Sequence, residues 1–185
     1  MKNIEKTFYW HFKRLFDIIL SIILIILTSP IMLIVLLITY IDIGTPLIDI
    51  RIPREGLHKK PFYMLKIRTR VYDENWNSTY TKISRKIDEM GLNEIVQLFN
   101  VLKGDMSFVG PRAFMVEETL PEGKISDKRY LVKPGITGLA QVTGGRYKGH
   151  KYKLKCDEMY YDNFGFLQDV KILLLTPIEI IKTFF

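Results

Sequence analysis

A chain of 185 residues is long enough for one compact domain plus an additional element, and too short for two full domains. Its net charge of +7 and pI near 9.4 call for a polyanionic neighbour; nucleic acid, an anionic membrane surface and a diphosphate ligand all qualify. The single cysteine, Cys156, excludes an internal disulfide, fits a reducing compartment and reads as a semi-buried small residue.

Phe8-Tyr9-Trp10-His11-Phe12-Lys13-Arg14 combines aromatic rings that keep a polar edge with basic side chains, a composition suited to a membrane headgroup layer. His11 reads as one more interfacial ring. From Ile18 to Ile41 the chain is almost wholly apolar, interrupted by Ser21, Thr28, Ser29, Pro30, Thr39 and Tyr40, and is long enough to cross a hydrocarbon core as a helix. It is too long for a signal peptide and lacks the small-residue cleavage pattern. Ser29-Pro30 lies at its centre, where proline removes a backbone donor and bends a helix. Lys2, Lys6, Lys13 and Arg14 before the segment balance Arg51, Arg54, Lys59 and Lys60 after it, so no basic bias assigns one flank to the cytoplasm. These residues leave two arrangements open: a span, or a hairpin-like segment that enters and leaves by one face. The membrane accounts for the basic charge, and no nucleic-acid motif is present.

Gly44-Thr45-Pro46 closes this element. The apolar stretches Leu47–Ile52 and Pro61–Ile67, separated by Arg54-Glu55-Gly56-Leu57-His58-Lys59-Lys60, read as short extended pieces around a turn. Residues 71–82, with Asp73, Glu74, Asn75, Asn77 and Ser78, read as a mobile surface loop. From Leu92 apolar residues recur at 92, 95, 96, 99 and 102, the spacing of one helical face, and Gly104 is a natural terminator. Asn93, Gln97 and Asn100 form a polar stripe on the opposite side. Asn93 thus opens a helix near the positive end of its macrodipole, as a cap or beside an anion.

Val132-Lys133-Pro134-Gly135-Ile136-Thr137-Gly138-Leu139-Ala140-Gln141-Val142-Thr143-Gly144-Gly145-Arg146 is rich in glycine and carries two cations, so backbone amides and an arginine fork could converge on phosphate oxygens. The stretch Asp169–Phe185 is apolar-rich and broken by Pro177; it reads as helical pieces lying on a membrane surface.

Gly91-Leu92-Asn93-Glu94-Ile95-Val96-Gln97-Leu98-Phe99-Asn100 continuing through Lys103-Gly104-Asp105-Met106-Ser107-Phe108-Val109-Gly110-Pro111-Arg112 resembles the signature of the monotopic bacterial polyprenyl-phosphate phosphoglycosyl transferases, the bacterial sugar transferase family. Ser29-Pro30, Gly56 with Lys60-Pro61-Phe62, Lys66-Ile67-Arg68-Thr69, Pro134–Gln141, Gly145-Arg146 and Asp157 with Tyr160 match in the same order, so the resemblance covers nearly the whole chain. It implies an α/β fold: a small mixed domain of helices and short strands, with an N-terminal re-entrant membrane helix and membrane-surface amphipathic helices. The expected division is residues 1–43 for the interfacial approach and re-entrant helix, 44–168 for the cytoplasmic domain and 169–185 for the surface segment. It further implies transfer of a sugar 1-phosphate from a UDP-sugar to polyprenyl phosphate, with Mg2+, at the cytoplasmic face of the bacterial inner membrane. Phospholipid is the expected neighbour, and a homo- or heterodimer with an active family member is an expected partnership. By position, Glu94 would be the second carboxylate of a catalytic pair. Lys60, Arg112 and Arg146 would surround phosphates, and Asp157 would be a polar active-site residue.

The departures from the family pattern cluster at the chemistry. Asn93 stands where the family has its nucleophilic aspartate. A carboxylate oxygen attacks phosphorus and becomes an acyl phosphate, whereas a carboxamide oxygen is neutral and its nitrogen lone pair is delocalised. Asp88 stands at a usual arginine, Ile52 at a usual glutamine, Arg70 at a usual methionine and Ala113 at a usual proline. On a continuous helix Asp88 and Glu94 would both point away from Asn93, although Gly91 could loosen that geometry. The expectation is a family member that lacks normal covalent turnover and serves as a binding or partner subunit; the alternative is an active or residually active transferase.

Overall fold

The computed structural model describes residues 2–51, 53–74, 77–116, 127–145 and 148–184. In chain order the elements are α1 (Lys2–Ile43), β1 (Ile48–Asp49), β2 (Pro53–Glu55), β3 (Pro61–Tyr63), β4 (Lys66–Ile67), β5 (Val71–Tyr72), β6 (Ser78–Thr79), α2 (Lys82–Glu89), α3 (Gln97–Lys103), β7 (Ser107–Val109), β8 (Gly135–Thr137), α4 (Leu139–Val142), α5 (His150–Asp162) and α6 (Phe166–Phe184). Short 3-10 turns at Leu57–Lys59, Leu92–Glu94 and Asp127–Leu131 lie between them. This is the mixture of helices and short strands expected from the sequence.

Helix α1 runs unbroken through Ser29-Pro30. Proline at position 30 deprives the Ile26 carbonyl of its helical amide. The Ser29 hydroxyl donates to that carbonyl at 2.8 Å, so the residue before the proline satisfies the group the proline abandons. Gly44, with φ +69°, then ends the helix in a left-handed conformation that favours glycine.

The burial pattern of α1 is inside out. Lys13, Asp17, Ser21, Met32, Val35 and Thr39 are buried, whereas Ile22, Ile26, Leu27, Leu33, Leu37 and Ile41 face outward. A helix on a water-exposed surface shows the reverse, so this one is patterned for an apolar solvent on its outer side. Phe8–Ile43 is long and apolar enough to cross a membrane by length and composition.

The inward stripe binds α1 to the domain at both ends. Near its start, Lys13 forms a buried ion pair with Asp169 of α6. Asp169 also accepts from the hydroxyls of Tyr9 at 2.6 Å and Tyr160 at 2.7 Å. Arg14 donates to the Val101 and Leu102 carbonyls, each at 2.7 Å, and so satisfies the open C-terminal end of α3. Asp17 accepts from the Ser107 hydroxyl and the Phe108 amide, both at 3.1 Å. Near its far end, Met32 and Val35 pack with Ile67, Ile87 and Val96, and Asp42 accepts from Thr81 of the α2 cap. These contacts correct the headgroup reading for four residues of the N-terminal approach. Tyr9 and Trp10 pack on Phe164 with ring centroids 5.1 and 5.5 Å apart, and Lys13 and Arg14 are used internally. Phe8, His11 and Phe12 remain exposed.

Among the described residues the strands form separate two-stranded ladders. β1 pairs with β4, β2 with β3 and β5 with β6, all antiparallel; β7 and β8 are parallel. The expected loop at 71–82 is therefore a hairpin leading into α2. The Asp73 carboxylate accepts from the Asn77 amide at 2.8 Å across its turn, and the tip, residues 75 and 76, lies outside the described residues. Leu98, Val101, Met106, Phe108, Tyr160 and Ile172 anchor the main core. The C-terminal segment is one helix, Phe166–Phe184, running through Pro177, not separate pieces. Ile172 is buried, while Leu167, Leu174, Ile178 and Ile181 face outward.

Candidate active site

The helix expected from Leu92 begins later. Leu92–Glu94 is a single 3-10 turn, entered through Gly91 at φ +69°, and α3 starts at Gln97. Asn93 therefore lies in a 3-10 lead-in turn and not at the first position of α3. The polar stripe is also reversed. Asn93, Gln97 and Asn100 are buried and Phe99 is exposed. The physical reason is visible at Asn100, whose side chain accepts from the Leu65 amide and donates to the Tyr63 carbonyl, each at 2.9 Å. The buried amide supplies partners for backbone groups at the end of β3 and in the link to β4, which an apolar repeat cannot register.

Gly91 has a second effect. By turning the chain between α2 and the 3-10 turn, it brings Asp88 against Asn93 instead of onto another face. Asn93 Nδ2 donates to Asp88 Oδ1 at 2.7 Å. Thr69 donates to the same oxygen at 3.3 Å, and the Tyr80 hydroxyl donates to Oδ2 at 3.1 Å. Arg70 stands behind Tyr80, donating from Nε to the phenol oxygen at 3.0 Å and from Nη1 to the Ser78 hydroxyl at 3.1 Å. Asn93 Oδ1 is buried without a hydrogen-bond partner among the described residues. Glu94 is exposed and pairs with Lys66 at 2.5 Å.

Of the other expected site residues, Arg112 and Asp157 meet at the turn Asp127–Leu131. Arg129 is buried, donates to the Arg112 carbonyl, lies 3.4 Å over the Phe114 ring and pairs with Asp157 at 3.2 Å. Burial pushes the Asp157 carboxyl up to about 7, outweighing the opposing pull of Arg129. Asp157 is thus linked to the Gly-Pro-Arg turn through Arg129, while the Arg112 residue itself is exposed. Lys60 is exposed beside Lys59, whose ammonium pairs with Asp127 at 2.8 Å. Ile52 and Arg146 lie outside the described residues.

The glycine-rich stretch is a packing device in its described part. A Cβ on Gly135 would lie 2.1 Å from the Gly110 nitrogen, and one on Gly138 would lie 2.1 Å from the Gly110 oxygen. The amides of Gly135 and Gly145 donate to the Pro111 and Ala140 carbonyls, at 2.9 and 2.8 Å. These two amides hold the turn together, which corrects their expected role on phosphate oxygens.

A hard divalent cation such as Mg2+ needs several oxygen ligands, usually including carboxylates. Around position 93 Glu94 is held by Lys66, Asp88 already accepts from three side chains, and Asn93 offers a neutral oxygen. These residues do not fit Mg2+ as they stand. Four residues of these groups escaped sequence reasoning as site members: Lys66, Thr69, Tyr80 and Arg129. Lys66 and Thr69 fall in a matched motif, whereas Tyr80 and Arg129 enter through tertiary contacts that leave no local signal.

The sequence profile of the family described as "Bacterial sugar transferase" matches residues 8–183. The chain is 38% identical over 171 residues to the "Uncharacterized sugar transferase EpsL" of Bacillus subtilis (strain 168), covering 89% of this chain and 84% of that protein. It is 35% identical over 184 residues to the UDP-glucose:undecaprenyl-phosphate glucose-1-phosphate transferase of Klebsiella pneumoniae, covering 89% of this chain and 39% of that protein. It is 30% identical over 204 residues to the undecaprenyl-phosphate galactose phosphotransferase of Salmonella typhimurium, covering 97% of this chain and 42% of that protein. The chain therefore spans about two-fifths of the length of the latter two relatives. Since the profile runs across both the long apolar helix and the Asn93–Arg112 segment, this chain belongs to the bacterial sugar transferase family, the polyprenyl-phosphate phosphoglycosyl transferases.

Proposed function

We propose that this chain is a catalytically impaired homologue of the transferases that move a sugar 1-phosphate from a UDP-sugar to polyprenyl phosphate, acting as a binding or partner subunit in surface-glycan or glycoprotein assembly. The observation that carries this reading is the Asn93 amide, buried and donating to Asp88 at 2.7 Å. The nucleophile position holds a neutral group whose nitrogen is engaged as a donor, next to a carboxylate that would repel a substrate phosphate. Loss of a covalent nucleophile costs on the order of 10⁴ to 10⁶ in rate. The purified chain should therefore release almost no UMP from UDP-sugars in the presence of polyprenyl phosphate. It should also co-purify, in nanodiscs, with an aspartate-containing family member from its own genome. Robust UMP release would sink the impaired reading, and repeated failure to co-purify would remove the partner role.

A second reading, an active transferase, draws on the same contact. The Asp88 carboxylate lies within one hydrogen bond of position 93 and could itself attack the sugar-bearing phosphorus, expelling UMP and forming an acyl phosphate. Intact-mass detection of a sugar-phosphate adduct that vanishes in Asp88→Asn would favour it.

The membrane arrangement in this proposal is re-entrant, with the domain and both ends of α1 on the cytoplasmic face of the inner membrane. Contacts from one domain to both Lys13 and Asp42 support it, because a straight span would carry those ends to opposite surfaces. Cysteines introduced at positions 3 and 75 should label from the same side; labelling from opposite sides would mean an ordinary span.

A further inference from the structure

Asp88 occupies a position that does not suit an anion by itself. It lies in the last turn of α2, where the carbonyl end of the helix disfavours negative charge. Yet donors from three separate segments converge on it: Thr69 from before β5, Tyr80 from after β6, and Asn93 from the 3-10 turn. A guanidinium stands behind them. Arg70 is bonded to the neutral hydroxyls of Tyr80 and Ser78, and among the described residues it forms no ion pair with a carboxylate. Its charge lies 5.1 Å from the Tyr80 ring centroid, and Arg85 approaches the same ring at 5.9 Å.

Neutral donors converging from several elements, backed by arginine, make the arrangement that holds phosphate oxygens. Asn93 is the member that distinguishes this set. An aspartate there would add a second negative charge beside the seat, whereas the carboxamide donates into it. We infer that Thr69, Tyr80 and Asn93, backed by Arg70, form a seat for one phosphate group of a phosphate ester or diphosphate, and that the chain's own Asp88 carboxylate fills it. The inference rests on the non-catalytic reading above and deepens it. The donors around position 93 are intact, and an incoming phosphate meets an internal competitor instead of a nucleophile. Asp88 is half-buried, so its carboxylate keeps contact with solvent.

The test is a gain of binding. Full-length Asp88→Ala in nanodiscs should bind UDP or inorganic phosphate about tenfold or more tightly than the unaltered chain, because each charge-assisted hydrogen bond released to the ligand is worth about that factor. Adding Tyr80→Phe or Arg70→Met should remove the gain. Titration calorimetry with UDP, and with nanodiscs doped or not doped with polyprenyl phosphate, separates the two sources: a gain for UDP assigns the seat to a nucleotide diphosphate, and a gain only with doped discs assigns it to the lipid. Unchanged affinity for all three anions overturns the proposal, as does a gain that survives both second substitutions. Should Asp88→Ala fail to fold in chloride buffer, recovery of folded protein in phosphate at equal ionic strength supports the seat, and equal failure in both buffers overturns it. UMP release by the unaltered chain is a separate readout: it would reject the non-catalytic reading and leave the binding result standing.

Discussion

Restoring aspartate at position 93 alone is expected to weaken the protein and to leave turnover near zero. The Asn93 amide nitrogen lies 2.7 Å from Asp88 Oδ1, so Asn93→Asp sets a second carboxylate oxygen at hydrogen-bond distance from the first. Two such groups cannot both ionise freely, and the pair holds one proton to higher pH than an isolated carboxylate would. A carboxylate whose folded-state pKa is raised gives its relative stabilisation below the unfolded value, near 4, and loses it as pH rises through the folded value. The variant should thus resemble the parent near pH 5 and fall behind it by about 2 kcal/mol at pH 8, the scale of one lost charge-assisted hydrogen bond. Urea unfolding in detergent at the two pH values measures this, and a pH-independent difference would contradict the contact. Asn93→Asp combined with Asp88→Arg replaces repulsion by attraction and puts a cation at the C-terminal end of α2, where the helix favours it. That double variant should recover the lost stability, and it is the fairer test of whether UMP release can be restored.

The largest loss of stability is expected at Asp169, far from the candidate site. Its two oxygens accept from Lys13, Tyr9 and Tyr160, with Lys13 and Asp169 only 8% and 5% exposed. Asp169→Ala leaves a buried ammonium without its counter-ion and removes the acceptor of two tyrosine hydroxyls, a change that costs about 3–5 kcal/mol. The junction of α1, α5 and α6 should loosen, which limited proteolysis of the detergent-solubilised protein would report together with a lower unfolding midpoint. Replacing both partners, Lys13→Met with Asp169→Leu, should return the part of the loss that comes from the orphaned ammonium and leave the part that comes from the tyrosine hydroxyls, of which Tyr160 keeps the Val109 carbonyl at 3.1 Å. A loss below about 1 kcal/mol in Asp169→Ala would mean that water reaches this pair.

The family, the long apolar helix, its stop at Gly44 and the presence of asparagine at position 93 were all legible in the linear chain. Each rests on local chemistry: an uninterrupted apolar run, a glycine that tolerates positive φ, or the residue type at one place in a motif. What depends on partners distant in sequence was not legible. The stripe of Asn93, Gln97 and Asn100 was placed opposite the apolar face, but Asn100 is drawn inward by backbone groups of Tyr63 and Leu65. Lys13 and Arg14 looked like headgroup cations until Asp169 and the open end of α3 were placed beside them. Asp88 and Asn93 were recognised as departures from the pattern, set on different faces of a continuous helix unless Gly91 loosened it. Only the turn at Gly91 makes them a bonded pair, and only the β5–β6 hairpin brings Tyr80 and Arg70 up to that pair. Sequence determined which groups are present, because composition and local backbone preference are properties of the chain itself. Tertiary structure decided which groups face each other, because desolvated hydrogen bonds are satisfied by whatever the fold brings within 3 Å, whatever the distance along the chain.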